Sequence, residues 1–122
     1  MKKVLLLVMS ILCFAGCSSS KTQSIDGETV YNMIKNEEDF VLVDVREQDE
    51  YDEGHIPTAL LIPLGTIETD FEKIIPDKDK KIVIYCRSGN RTKTAYEKIV
   101  ALGYTNVYDM GGILDWQYDV EK

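Results

Sequence analysis

The sequence predicts an α/β domain with a central, mainly parallel sheet that is flanked by helices. Short apolar segments of strand length alternate along the chain with segments whose apolar residues recur at helical spacing. Residues 40–45 are almost continuously apolar, as is typical of a strand buried on both faces, and residues 81–84 form a β-branched run. Strands that alternate with helices are joined by right-handed crossovers into a parallel sheet. The 122 residues have room for one modest core.

The first half of the chain begins with a predicted helix. Asp26 is typical of a helix N-cap, and the helix is expected to fade near Asn36. After the strand at residues 40–45, the acidic stretch 47–53 most simply predicts a solvated loop, and residues 54–57 predict a turn.

A second strand and helix are predicted within residues 60–75. Residues 60–64 form a short apolar strand, and Pro63 places it at the sheet edge or at a strand terminus. Residues 66–75 are amphipathic, and their apolar face is expected to pack on the sheet. That face consists of Ile67, Phe71, Ile74 and Ile75.

The last third of the chain predicts a helix, a strand and a final helical turn. Residues 92–102 carry apolar side chains at helical spacing, and the following Gly103 is a natural residue to end the helix. Residues 106–109 predict the last strand, and residues 111–112 predict a turn. Trp116, in the helical turn that follows, is expected to belong to the core.

Residues 1–16 predict a secretory signal peptide. Two lysines precede an apolar run that is shorter than the roughly 20 residues needed to span a bilayer. The last residues of the signal and the residue after it resemble the lipobox of bacterial lipoproteins: Phe14, Ala15, Gly16 and Cys17.

The lipobox resemblance implies that diacylglycerol is attached to Cys17, and two acyl chains are enough for stable anchoring. We then expect residues 17–23 to form the lipidated cysteine and a flexible tether, and residues 24–122 to form the domain. The expected location is the extracytoplasmic face of a bacterial membrane, with the lipid as the only membrane contact. The alternative is an ordinary secretory signal that happens to contain cysteines.

Charge and cysteine content exclude several classes of function. The net charge of −7 becomes more negative once the lysines of the signal are removed, which argues against nucleic-acid binding. Cys13 leaves with the signal and Cys17 carries lipid, so Cys86 is the one free thiol of the mature chain. A single free cysteine and a single histidine, His55, do not supply the ligands of a four-coordinate zinc site.

Residues 86–92 form the candidate reactive loop. The order strand, loop and helix places Cys86 at the carboxyl end of a strand, where open α/β sheets bind their ligands. The helix N-terminus directs amides and partial positive charge toward the sulfur. Arg87 and Arg91 flank the loop, Gly89 lets it curl tightly, and such surroundings favour the thiolate. The alternative, a small buried core cysteine, leaves the arginine-flanked loop unexplained.

From about Gln23 to its end, the chain resembles a single-domain rhodanese of the sulfurtransferase superfamily. Four motifs carry the resemblance, in the same order along the chain: residues 44–46, 50–57, 86–91, and 111–112 with Trp116. The departures are Thr58, where the family usually has glycine, and Thr92, where it usually has serine. Thr92 keeps a hydroxyl that we expect to cap the helix.

The resemblance implies that sulfur is transferred through a persulfide on Cys86, with no cofactor and no metal. Cys86 would take a sulfane sulfur from a small anionic donor such as thiosulfate and pass it to cyanide or a thiol. The loop amides would hold the transferred sulfur, and the two arginines the anionic donor. The implied substrate-binding residues are Arg87, Ser88, Gly89, Asn90, Arg91 and Thr92. Whether Arg91 binds substrate or pairs with a nearby carboxylate stays open.

Asp44, Arg46 and His55 are predicted to give structural support rather than to act as acids or bases. Asp44 and Arg46 look like an ion pair beneath the loop, and His55 like a hydrogen-bonded scaffold residue. Cysteine phosphatases place their arginine one residue later than Arg91, in a wider loop, which argues against phosphatase or arsenate reductase activity. A persulfide-carrying or sulfur-sensing module without turnover is the remaining alternative. We expect the protein to act as a monomer.

Overall fold

A computed structural model describes residues 22–122, and a four-stranded, all-parallel sheet forms its centre. The strands are β1 (Val41–Asp44), β2 (Leu60–Leu61), β3 (Ile82–Cys86) and β4 (Val107–Gly112). The helices are α1 (Gly27–Lys35), α2 (Gln48–Glu53), α3 (Ile67–Ile74) and α4 (Arg91–Ala101), with short 3-10 turns at Leu64–Thr66 and Ile113–Asp115. The strand order is β2-β1-β3-β4. The predicted α/β fold with a parallel sheet is confirmed.

The core lies on both faces of the sheet, because successive residues of β3 point to opposite sides. Val83 and Tyr85 pack with residues of α1 on one face. Ile82, Ile84 and Cys86 pack with residues of α3 and α4 on the other. Every residue of β3 is buried, as the apolar pattern of this central strand predicts.

Helix α1 begins as predicted, since the Asp26 side chain accepts a hydrogen bond from the Thr29 amide. The predicted apolar face of α3 needs one correction. Ile67 and Phe71 are fully buried, but Ile74 is 46% exposed. The chain leaves the helical conformation at Ile75, so Ile75 enters the core and Ile74 turns toward solvent.

Three other local predictions were wrong. The acidic stretch forms helix α2, which starts with a reciprocal capping box between Glu47 and Glu50. The strand at residues 60–64 is limited to Leu60–Leu61, because a 3-10 turn begins at Leu64. Residues 111–112 belong to β4 rather than to a turn, and a bulge in the β3–β4 pairing brings them opposite Tyr85 and Cys86.

The N-terminal part of the described chain adds a short segment to the edge of β4. Ser24 forms a parallel bridge with Asp109, whose amide donates to the Gln23 carbonyl and whose carbonyl accepts from the Ile25 amide. The fold therefore includes Gln23, one residue before the predicted start of the domain. The predicted signal peptide and Cys17 lie outside the described residues. Across residues 22–122, each helix is too short or too polar to cross a bilayer.

Candidate functional site

Cys86 ends the central strand at the carboxyl edge of the sheet, and the loop from Arg87 to Asn90 connects it to α4. Neighbouring strand β1 reaches the same level, and the Val45 amide donates to the Tyr85 carbonyl beside it. Helix α4 starts immediately after the loop, so its unpaired first-turn amides lie at this edge. The arrangement is the strand–loop–helix that the sequence predicts.

The Cys86 sulfur lies beneath its own loop. The Gly89 amide donates toward Sγ at 3.1 Å, a contact that stabilises negative charge on sulfur. Gly89 has a φ of 95°, a conformation that glycine adopts at little cost and that brings this amide back over the sulfur. Cys86 is 0% exposed, so a donor molecule reaches Sγ only after part of the loop shifts.

Strand β4 braces the loop by direct backbone contact. A Cβ atom on Gly112 would lie 2.2 Å from the Arg87 carbonyl oxygen, so only glycine lets β4 approach this closely. The same oxygen accepts a hydrogen bond from the Leu114 amide at 3.1 Å. Gly112 is thus the position at which β4 and the loop approach each other closely, which the prediction of a turn at residues 111–112 did not anticipate.

Arg91 forms a two-pronged ion pair with Glu50 of α2. Its Nη1 and Nη2 atoms lie 2.8 and 2.9 Å from the two carboxylate oxygens of Glu50. The Arg91 hydrogen bond lowers the pKa of Glu50 to about 2, so this carboxylate is ionised at any physiological pH. The sequence did not predict the role of Glu50 because α2 has no apolar periodicity and begins with Glu47, which is not a typical N-cap residue.

Arg87, Ser88 and Asn90 form the exposed rim of the loop. Among residues 22–122, no carboxylate forms an ion pair with Arg87. The Arg87 guanidinium is therefore available to an anion from solution. Asn90 occupies the N-cap position of α4, and its side chain makes no capping hydrogen bond.

Thr92 does not cap the helix as expected. Helix α4 starts one residue earlier, at Arg91, so Thr92 lies inside the first turn. Its buried hydroxyl instead donates to the Gly89 carbonyl oxygen at 3.0 Å. The side chain thus ties the loop to the helix, and its hydroxyl hydrogen is not available to a ligand.

Asp44 and Arg46 form a buried ion pair at the end of β1. Arg46 Nη2 lies 2.7 Å from Asp44 Oδ2 and also donates to the Gly54 carbonyl oxygen at 2.7 Å. Burial alone would lower the pKa of Arg46, but the hydrogen bond and charge of Asp44 raise it. The pair fastens the strand to Gly54, the residue that follows α2, and the Arg46 guanidinium lies over the Tyr85 ring.

His55 lies on the scaffold next to α2. Its ring stacks on the Tyr51 ring at a centroid distance of 3.7 Å, and its Nδ1 lies 3.0 Å from the Tyr51 carbonyl oxygen. Its backbone pairs with Glu121 near the C-terminus. These contacts engage His55 away from the loop. Residues 22–122 hold no cluster of three His, Cys, Asp or Glu side chains suited to a metal ion.

Comparison with known proteins agrees with this geometry. Residues 26–119 match the family described as the rhodanese-like domain. The chain belongs to that family. A sulfurtransferase of Allochromatium vinosum is 39% identical over 93 residues, which cover 75% of this chain and 85% of that protein. A thiosulfate sulfurtransferase of Coxiella burnetii is 35% identical over 80 residues, covering 65% of this chain and 73% of that protein.

A solved structure shares both the rhodanese-like fold and part of the sequence. The crystal structure of a rhodanese-related protein from Thermoplasma volcanium superposes with a TM-score of 0.70 at 33% identity. The match covers 81% of this chain and 97% of that one. This rhodanese-like domain therefore shares its overall fold with that protein. The roles of the individual loop residues stay predictions from the geometry above.

Proposed function

We propose that this rhodanese-like domain is a sulfurtransferase that moves a sulfane sulfur from thiosulfate to a thiol through a persulfide on Cys86. One observation carries the proposal: Cys86 ends the central strand beneath a loop whose Gly89 amide donates to its sulfur. Arg87, unpaired within residues 22–122, lies next to it on the rim. The names of the relatives support the same reaction class and, in one case, thiosulfate as donor.

In the first half-reaction, the Cys86 thiolate attacks the outer sulfur of thiosulfate. A bond forms between Sγ and that sulfur, the sulfur–sulfur bond of the donor breaks, and sulfite leaves with the electron pair. Arg87 attracts the anionic donor, and the loop amides stabilise the negative charge on the transferred sulfur. Because Cys86 is covered, the exposed rim of the loop moves aside to admit the donor.

In the second half-reaction, an acceptor thiolate attacks the outer sulfur of the persulfide. The acceptor becomes a persulfide, and Cys86 leaves as the thiolate, ready for another cycle. Cyanide would accept the same sulfur and form thiocyanate. In both steps Cys86 reacts or leaves as the thiolate, whose charge the loop amides stabilise, so no separate base is needed once the thiolate has formed.

Thiosulfate:cyanide transfer by purified protein tests the proposal, with Cys86→Ser as the matched variant. We expect transfer by the wild type and none by the variant. Equal rates for the two would refute catalysis at Cys86. A persulfide that forms on Cys86 but that no thiol or cyanide removes would identify a persulfide-carrying module instead of an enzyme.

We also propose that a lipid on Cys17 holds the domain at the extracytoplasmic face of a bacterial membrane. The lipobox-like residues of the sequence support this, and the tether would join the domain at Gln23. We expect the full chain to partition into detergent and Cys17→Ala to remain in the aqueous phase. Equal partitioning of both would contradict the anchor.

A further inference from the structure

We propose that the two arginines of the loop have different tasks, and that Glu50 is a positioning residue that acts through Arg91. Arg87 would then supply the unpaired positive charge that an anionic sulfur donor meets. The inference rests on the proposed sulfur transfer and extends it, because it assigns the recognition of the donor to one residue and the shape of the loop to a pair.

The Glu50 carboxylate and the Arg91 guanidinium bind each other. Both carboxylate oxygens of Glu50 accept from Arg91, and one of them also accepts from the Glu47 amide at 3.0 Å. The side chains are 24% and 32% exposed, so solvent screens the pair only in part. The planar fork of arginine matches a carboxylate in this two-pronged geometry, which fixes direction as well as distance.

The pair joins two elements that are distant in sequence. Arg91 is the first residue of α4 and directly follows the loop, whereas Glu50 lies in the first turn of α2. The capping box at the start of α2 holds Glu50 in place, so the ion pair fixes the end of the loop to a capped helix. Movement of Glu50 would therefore displace the loop amides over Cys86.

The charges of the pair offset each other near the sulfur. The Glu50 hydrogen bond raises the pKa of Arg91, and negative charge on Cys86 adds to that rise, so Arg91 interacts with both groups. With Arg91 neutralised by Glu50, the net positive charge of the loop side chains is that of Arg87. Removal of the Glu50 charge alone would leave two positive charges at the loop, and removal of both partners would leave one.

Alkylation of Cys86 measures this charge without requiring turnover. Iodoacetate is anionic and iodoacetamide is neutral. The ratio of the iodoacetate rate to the iodoacetamide rate therefore reports the electrostatic potential at the sulfur, and a more positive potential raises it. At low ionic strength we expect Glu50→Gln to raise the ratio by about threefold or more, and Arg87→Gln to lower it by a similar factor. The double variant Glu50→Gln, Arg91→Gln should keep the wild-type ratio, because the charges it removes cancel.

Sulfur-transfer kinetics test the positioning role on the same proteins. We expect Glu50→Gln to lower kcat by about tenfold or more, because the loop loses its anchor, and to lower the KM for thiosulfate, because Arg91 becomes a second free cation. Glu50→Asp, which keeps the charge, should recover part of kcat. Arg87→Gln should raise the KM for thiosulfate.

Glu53→Gln is the matched control. Glu53 is exposed on the same helix and forms no ion pair within residues 22–122, so this variant should leave the alkylation ratio and kcat unchanged. An unchanged kcat in Glu50→Gln, or an unchanged ratio in Arg87→Gln, would overturn the inference. If the wild type transfers no sulfur, the proposed function fails, and the alkylation ratios still decide how charge is divided between the arginines.

Discussion

Gly112→Ala is expected to damage the reactive loop although residue 112 carries no reacting group. The added Cβ would lie 2.2 Å from the Arg87 carbonyl oxygen and 2.7 Å from the Arg87 carbonyl carbon. Both contacts are to backbone, so no side chain can rotate away, and β4 must separate from the loop by roughly 1 Å to restore van der Waals contact. The hydrogen bond from the Leu114 amide to the same carbonyl oxygen resists that separation.

The expected cost of Gly112→Ala follows from this geometry. Overpacking of this kind destabilises proteins by about 1–3 kcal/mol, which in a domain of this size corresponds to a fall in Tm of about 5–15 °C. A displacement of about 1 Å at the loop is expected to reduce kcat/KM by up to about 100-fold. Thermal unfolding measures the fall in Tm, and thiosulfate:cyanide transfer below the Tm of the variant measures the fall in kcat/KM.

Gly65→Ala provides the comparison for Gly112→Ala. A Cβ at Gly65 meets nothing within 4 Å, so this substitution should change stability by less than about 0.5 kcal/mol and leave the kinetics unaffected. If Gly112→Ala behaved like Gly65→Ala in both measurements, the close approach of β4 to the loop would not be what shapes the site.

Three further predictions concern contacts that hold the loop and the end of β1 in place. The ion pair with Arg91 lowers the pKa of Glu50 from its usual 4.5 to about 2. The ion pair should therefore stabilise the folded protein by about 1–2 kcal/mol above about pH 5, and this contribution should be lost as the pH falls toward 2. In urea unfolding, the wild type should therefore have a higher free energy of unfolding than Glu50→Gln at about pH 6, and this difference should become smaller by about pH 3. A difference that does not change with pH would contradict this linkage. Asp44→Ala leaves Arg46 buried without its partner and should cost about 3–5 kcal/mol in the free energy of unfolding; a loss below about 1 kcal/mol would show that the pair does not support the fold. Thr92→Val removes the hydrogen bond to Gly89 and should cost about 1 kcal/mol and slow persulfide formation, whereas Thr92→Ser should retain both properties; equal behaviour of the two variants would exclude a role for the hydroxyl.

Local sequence signals were sufficient to predict the central part of the site. The apolar run of β3, the loop glycine and the following helix are encoded within one continuous segment, so the placement of Cys86 at a strand end follows from residues 81–102. The N-cap at Asp26 is equally local, because its side chain bonds an amide three residues away.

The features that the sequence did not disclose depend on distant parts of the chain. Helix α2 buries none of its residues, so no apolar pattern marks it, and its ion pair joins residues 41 positions apart. The demand for glycine at residue 112 arises only where β4 meets the loop. The complete burial of Cys86 likewise depends on its packing in the core with residues of α3 and α4, which a sequence motif does not describe.

The mass of the intact protein after exposure to thiosulfate tests the central claim most directly. The wild type should gain the mass of one sulfur atom on the peptide that contains Cys86, and addition of a thiol or cyanide should remove it. Cys86→Ser should gain nothing under the same conditions. A wild-type protein that gains no sulfur, or a Cys86→Ser variant that gains as much, would contradict transfer through a persulfide at this residue.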